Sequence, residues 1–317
     1  MPASRNPAID VLKGVLMVLV MLGHLSGAGV DYSWFKWSLY GFHMPMFMAL
    51  SGYMMNVERL RAQGLGALWQ RYWGRMILPW LVVFVIALPF YFNWRSPMGI
   101  AQAFLHPWNH LWFIPVLFAF IVAAVAIPLS RGWLLLISLL GAPLWFAPQL
   151  FASGYNVTPF DIRYIIDAPF FFFGLWLRTS GLKVGWWIAP VFLISLAIWS
   201  LTFQAPHSYL LAIYPVMTFG AIMLIPWVLR LPLRSVVLEV IGADSLFFYL
   251  HHPWVFNIAR RTLYHWMNLN IAYAVTLAVT IAILLAARRV LRRNPWTALL
   301  SGVVPAGEPD DLKRAAP

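Results

Sequence analysis

The sequence predicts an all-α, polytopic integral membrane protein of about ten transmembrane helices, and three observations carry that expectation. Hydrophobic residues make up 62% of the 317-residue chain and charged ones only 10%, with a mean hydropathy of +0.76. A water-soluble surface does not accommodate those fractions. The long apolar runs, at 15–22, 77–91, 133–140 and 271–287, are apolar on every face instead of alternating, so helices and not barrel strands close the backbone hydrogen bonds in lipid. Finally, the basic residues gather on one side of the resulting spans.

Taken in order, the first span, 8–28, holds Asp10, Lys13 and His24 within an apolar stretch. Those polar groups, with nine spans following, argue against its removal as a signal peptide at Ser26-Gly27-Ala28. The second span, 37–55, is entered through Trp34 and Trp37, and the third, 76–92, follows Arg71 and Arg75. Spans four and five occupy 111–128 and 133–150. Span six, 162–177, is flanked by Asp161 and contains Arg163 and Asp167, and span seven, 186–203, begins at Trp186-Trp187. Span eight is 208–229. Span nine, 244–260, carries His251-His252 behind a helix cap read at Asp244-Ser245, and span ten, 270–287, ends at Arg288-Arg289.

Ten spans place both termini on the same side. With that side cytoplasmic, seventeen of the 22 Lys and Arg residues lie inside and five, Lys36, Arg95, Arg163, Arg260 and Arg261, lie outside. The net charge of +12 is therefore a topology signal, and bases scattered over short loops exclude a nucleic-acid partner. Residues 1–301 read as one integral-membrane domain and 302–317 as a polar, Pro-containing, disordered cytoplasmic tail. With no Cys in the chain, disulfides, thiolate metal sites and a cysteine acyl-enzyme are excluded.

An ionisable residue inside a span costs about 2.5–3.5 kcal/mol on insertion scales, so each is a functional candidate. Lys13 and His24, eleven residues apart, lie close to three whole turns apart on one stripe, roughly 16 Å along the axis. Asp10 sits one turn before Lys13, and pairing between the two lowers the cost of both. His24 and His43 fall at similar depths on neighbouring spans, and imidazole is the side chain best suited to take a proton from a hydroxyl near neutral pH. Helix-packing hydrogen bonds are the structural alternative for both. Arg71 and Arg75 share a helical face and present two forks suited to phosphate, or simply flank the span as topology determinants. Arg163 and Asp167, one turn apart, hold a polar acceptor or neutralise each other. His106 and His110 have metal-like spacing, but Pro107 interrupts it and no carboxylate is nearby, so no metal is expected. His251 and His252 point about 100° apart, so one of them is structural.

The runs AIDVLKGVLMVLVMLGH (8–24), FHMPMFMALSGYMM (42–55), RYWGRMILPW (71–80), HLWFIPVLF (110–118), FFFFGLWLR (170–178) and SLFFYLHHPW (245–254) resemble, in order and spacing, the acyltransferase-three family of bacterial inner-membrane O-acyltransferases. The likeness is greatest to its short fucose 4-O-acetylase branch. The resemblance implies a ten-helix protein of the bacterial inner membrane that moves an acyl group, usually acetyl, from cytoplasmic acetyl-CoA or another acyl-CoA to a hydroxyl of an envelope glycan or a lipid-linked sugar. It implies His24 as general base, Lys13 as the family's basic partner and Arg71 with Arg75 as the region holding the CoA phosphates, although some members separate these arginines by two residues where this chain has three. His252, before Pro253, fits the family's late histidine better than His251 does. His43, or a hydroxyl of Ser51 or Tyr53, is expected to stabilise the oxyanion. Asp10, Arg163, Asp167 and His252 complete the candidate acceptor contacts. No esterase-like domain follows the tenth span, so a second transfer step is expected to be absent or supplied by a partner. The competing class is a proton-coupled transporter or lipid-carrier flippase using the same intramembrane His, Lys and Asp groups, with no inverted repeat between the halves to favour it.

Overall fold

The computed structural model describes residues 6–25, 33–91, 94–107, 109–146, 160–203 and 210–305. The helix ends expected at 26–28, 147–150 and 208–209, His207 and the tail beyond 305 lie outside the described residues. Among the described residues the chain is helical throughout, with no strand. Three helical stretches are long and apolar enough to cross a membrane: Pro7–Leu25, Val57–Phe90 and Leu269–Leu291. A fourth arises if 97–105 and 110–126 form one broken span, and shorter apolar helices cover 131–144, 188–201 and 212–228.

The chain divides into two units, Met1–His43 with Val228–Ala316, and Met44–Trp227. The first contains α1 (Pro7–Leu25), α2 (Trp34–Tyr40), α13 (Val236–Ala243), α14 (Ser245–Leu263), α15 (Leu269–Leu291) and α16 (Pro295–Ser301). Helix α1 rests on α13 through glycine. A Cβ on Gly14 would overlap the carbonyl of Leu238, and one on Gly242 would overlap the carbonyl of Asp10. In lipid no hydrophobic gain drives helices together, so backbone approach and van der Waals contact across small residues supply the association. α14 packs in turn on α1 and α15.

Asp244 departs from its expected role as a cap: no side-chain cap bond forms. Its buried carboxylate instead pairs with Arg288 of α15, and its Oδ1 accepts the Val304 N–H at 2.8 Å. A guanidinium at close range is worth more to a buried carboxylate than one helix-end N–H, so the acid ties α14 to α15 and to the segment after α16. Replacing Asp244 by Asn leaves Arg288 half-buried without its anion. We expect a loss of about 3–5 kcal/mol, read as a lowered unfolding midpoint in detergent.

The second unit contains most of α3 (His43–Met54), α4 (Val57–Tyr72), α5 (Leu78–Tyr91), α6 (Pro97–Leu105), α7 (Phe113–Ala126), α8 (Arg131–Gly141), a single turn α9 (Arg163–Ile166), α10 (Ala168–Ser180), α11 (Ile188–Leu201) and most of α12 (Leu210–Val228). Here too glycine brings backbones together: Cβ atoms on Gly52 of α3 and Gly174 of α10 would strike the carbonyls of Phe171 and Ala49. Phe170, Phe171, Phe172 and Phe173 form a buried aromatic seam on α10. Arg61 of α4 donates to the carbonyls of Ala124, Val125 and Ile127, satisfying the end of α7 at 2.6–3.0 Å. Ser96, Ser130 and Asn56 cap α6, α8 and α4. Gly181, at φ 68°, ends α10 in the left-handed conformation that glycine adopts without strain.

Several elements differ from expectation. The span expected at 37–55 is split into α2 and α3 by a turn at Gly41-Phe42. The one expected at 76–92 runs back through a π-helical turn, Trp73–Ile77, into α4. The span expected at 162–177 is interrupted at Asp167, with Pro169 in the first turn of the helix that follows. Proline lacks the N–H that an unbroken helix would need and is tolerated at a helix start. Helices α6, α13 and α16 are short, and their apolar runs fall below the length that marks a span.

Candidate functional site

The first unit gathers three imidazoles from three helices. His24 lies in the last turn of α1, His43 opens α3 and His252 sits in the middle of α14. His43 is 2% exposed and His252 fully buried, and His24 is the least enclosed of the three residues. The His24 and His252 ring centroids are 5.2 Å apart at 65°.

Both buried rings are held by the same local device. His43 Nδ1 lies 2.8 Å from the carbonyl of Leu39, and His252 Nδ1 lies 2.9 Å from that of Phe248, each four residues earlier. A carbonyl only accepts, so each Nδ1 donates its hydrogen and each neutral ring presents Nε2 as a lone pair. In that neutral tautomer His43 presents a lone pair, and not an N–H, at Nε2. Ser51 is committed similarly, its hydroxyl donating to Phe47 O at 3.0 Å. His251 has Nε2 3.2 Å from the carbonyl of Ser301 in α16.

Around the three rings stand residues that spacing did not single out. Tyr40 of α2 packs edge-on to His43 at 4.8 Å and lies over Gly23, with its hydroxyl reaching the Gly23 carbonyl at 3.5 Å. Arg260 Nη2 of α14 donates to the carbonyls of His24 and Leu25 at 3.0 and 3.3 Å, and the Tyr264 hydroxyl donates to Leu25 at 3.0 Å. These bonds satisfy the open end of α1 and fix the backbone that carries His24. Lys36 is buried, its ammonium 5.9 Å from the centre of the Tyr40 ring. Burial, then the nearby Arg260 guanidinium, pull its ammonium below the ordinary lysine range. The sequence held one signal for these cations. Lys36 and Arg260 are two of the five bases that the inside-positive count leaves outside.

Asp10 and Lys13 lie further along α1, Asp10 buried at the contact with α13 and Lys13 half-buried.

The second unit holds the remaining candidates. Arg71 ends α4 half-buried, and Arg75 lies exposed in the π-helical turn that follows, a kind of irregularity common at functional positions. On the same α4, Glu58 and Arg61 line a cavity of about 360 Å³ with Ser130, Arg131 and Thr179. In a separate cluster Arg163 does not reach for Asp167 as expected. It pairs two-pronged with the buried Asp161, with Nε 2.7 Å from Oδ1, and lies over the Trp112 ring at 4.3 Å. Because α9 is a single turn, Arg163 and Asp167 are not on one continuous helix, and the Asp161 carboxylate, which also accepts the Arg163 N–H, is nearer. Asp167 remains buried beside them. A carboxylate, a guanidinium and an indole face together offer what a sugar ring uses, polar partners for hydroxyls and a flat apolar face for its C–H bonds. Among the described residues no three His, Asp or Glu side chains are grouped as a metal ion requires.

Comparison with known proteins now adds to this geometry. Residues 6–289 match the family model described as an acyltransferase domain. Over 216 residues the chain is 29% identical to a nodulation protein, NolL, of Mesorhizobium japonicum, covering 62% of this chain and 54% of the relative. A NolL of Sinorhizobium fredii is 42% identical over 66 residues, 18% of each chain. The chain thus spans about half the length of the first of these relatives and less of the second. No solved structure matches the chain.

Proposed function

This chain belongs to the acyltransferase family whose domain covers residues 6–289, and from that premise we propose that it transfers an acyl group, acetyl first among candidates, from acyl-CoA to a hydroxyl of an envelope carbohydrate, with His24 as general base. The observation that supports this most is the imidazole cluster of the first unit, in which the buried His43 and His252 each turn Nδ1 to a backbone carbonyl and the His24 ring stands 5.2 Å from that of His252. His24 takes the proton of the acceptor hydroxyl, and the alkoxide attacks the thioester carbonyl carbon. The tetrahedral oxyanion collapses, the C–S bond breaks, and the departing CoA thiolate recovers the proton from His24. Lys36 and Arg260 supply the positive field for the oxyanion, in place of His43.

On this reading the CoA phosphates bind Arg71 and Arg75 on the cytoplasmic side, Lys13 contacts the donor or its neighbour Asp10, and Asp161, Arg163, Asp167 and Trp112 hold the sugar. The protein is a multi-pass component of a bacterial inner membrane with both termini cytoplasmic, and His24 lies toward the outer face. On this reading a sugar hydroxyl of the kind the fucose 4-O-acetylase branch acylates is the acceptor. The relatives named nodulation proteins make the glycans of plant-associated bacteria the first acceptors to assay.

The test is direct. Purified protein incubated with labelled acetyl-CoA and envelope glycan is expected to label the glycan, and mass spectrometry of glycans from cells lacking the protein is expected to show loss of an acyl ester. CoA at 100 times its Kd is expected to stabilise the fold by about 2.7 kcal/mol. Absence of both glycan labelling and CoA stabilisation overturns the proposal in favour of a carrier. Replacing Arg71 and Arg75 together by Gln is expected to raise the KM for acyl-CoA about a hundredfold or more, each lost charge-assisted bond to phosphate costing roughly 1.5–3 kcal/mol, while kcat changes little.

A further inference from the structure

We propose that the cavity of the second unit binds the headgroup of an aminophospholipid of the cytoplasmic leaflet, its phosphodiester held by Arg61 and Arg131 and its primary ammonium by Glu58. The inference is independent of the imidazole cluster and goes beyond the transfer reaction.

Three observations lead there. First, the cavity lies where four helix ends meet: Glu58 and Arg61 stand near the start of α4, Ala124 near the end of α7, Ser130 and Arg131 at the start of α8 and Thr179 near the end of α10. On the topology expected from the basic residues these ends face the cytoplasm. Its volume of about 360 Å³ falls among small-molecule sites, which run from roughly 300 to 1,000 Å³.

Second, the charges in the cavity are held apart. Glu58 and Arg61 are spaced to pair along α4, yet Arg61 turns Nε and Nη2 to the carbonyls of Ala124, Val125 and Ile127. Among the described residues, Arg61 Nη1, the Arg131 guanidinium and the Glu58 carboxylate have no hydrogen bond or ion pair. Glu58 lies in the first turn of α4, where the helix dipole favours an anion. Ser130 Oγ accepts the Trp133 N–H at 3.4 Å, which leaves the hydroxyl hydrogen for a phosphate oxygen. Two cations and one anion around one space complement a ligand that carries both signs. A phosphate dianion meets repulsion from Glu58. A primary ammonium donates N–H bonds to that carboxylate, whereas choline has none to give and a glycerol head brings no positive charge.

Third, one wall of the cavity continues as an apolar ridge. Helix α8 buries Leu134 and Ser138 but leaves Trp133, Leu136, Leu139 and Leu140 exposed. The ridge starts two residues after Arg131 and offers acyl chains a track, with Trp133 at the level of the headgroups. It favours a lipid over a soluble phosphoethanolamine as the source of the headgroup.

Native mass spectrometry and thermal unfolding of delipidated protein, with phosphatidylethanolamine, phosphatidylcholine or phosphatidylglycerol added back, read the site. Phosphatidylethanolamine is expected to bind about tenfold more tightly than the other two and to raise the unfolding midpoint most. Glu58→Gln is expected to remove that preference while phospholipid binding persists, and Arg131→Gln to weaken all three lipids alike. Glu58→Lys is expected to reverse the order in favour of phosphatidylglycerol, a change that a merely structural role of Glu58 does not produce. If Glu58→Lys does not accumulate, the near-isosteric Glu58→Gln decides alone. Equal binding of the three headgroups by the native protein, or an unchanged preference in Glu58→Gln, overturns the assignment. Glycerophosphoethanolamine binding as tightly as the lipid overturns the lipid as the source. Displacement of bound phosphatidylethanolamine by CoA gives the cavity to the acyl donor and overturns the proposal as well.

Discussion

Replacing His24 by alanine is expected to reduce acyl transfer by about 10⁴-fold or more, equivalent to some 5.5 kcal/mol of transition-state stabilisation, without a change in helical content or thermal midpoint. The size of the effect follows from chemistry: a sugar hydroxyl is a weak nucleophile until its proton is taken, and His24 is the proposed base. The fold is expected to hold because Arg260 and Tyr264 grip this end of α1 through the carbonyls of His24 and Leu25, which the substitution leaves in place. Acceptor-dependent release of CoA, measured with saturating donor, checks the first part, and circular dichroism in detergent the second. Accumulation of an acylated protein in the absence of acceptor would show that His24 acts as nucleophile before it acts as base.

The second large effect falls on packing. Replacing Gly242 by valine drives a branched side chain into the backbone of α1 at Asp10 and Gly14, and replacing Gly14 by valine drives one into Leu238 of α13. Neither obstruction is a flexible side chain that can turn aside, so one helix must move. Overpacking in a well-fitted interface costs typically 1–3 kcal/mol and more where backbone must shift. We expect each variant to lose roughly 3 kcal/mol or more, to accumulate poorly and to lose transfer activity as α1, which carries Lys13 and His24, leaves its register. The outward-facing Gly66, where a Cβ meets nothing within 4 Å, provides the control: alanine there is expected to be silent. A native unfolding midpoint for Gly242→Val would contradict the contact.

Much of the candidate site could be named along the chain. Lys13 and His24 stood out by sitting eleven residues apart in an otherwise apolar helix, and the 100° between neighbours on a helix set His251 and His252 in different directions. Asp161, Arg163 and Asp167 were visible as a polar group, but not their pairing, because the break at Asp167 changes which carboxylate the guanidinium meets. Tyr40 carried no signal at all. Lys36 and Arg260 carried a faint one, as bases on the side where bases are scarce, and Arg163 shares it.

Membrane character and helical class are properties of composition and run length, since lipid tests each segment locally for apolar surface and for closed backbone hydrogen bonds. They needed nothing beyond the order of residues. Which imidazoles meet, and which nitrogen of His43 and His252 faces a carbonyl, depended on contacts such as that between Arg260 and His24, 236 residues apart, and on carbonyls such as Leu39 and Phe248 that look no different in sequence from any other. Helical periodicity reports the direction of a side chain around its own axis. Only the packing of α1 against α13 and α14, set by how closely Gly14 and Gly242 let backbones approach, brings the His24 and His252 rings within 5.2 Å of each other.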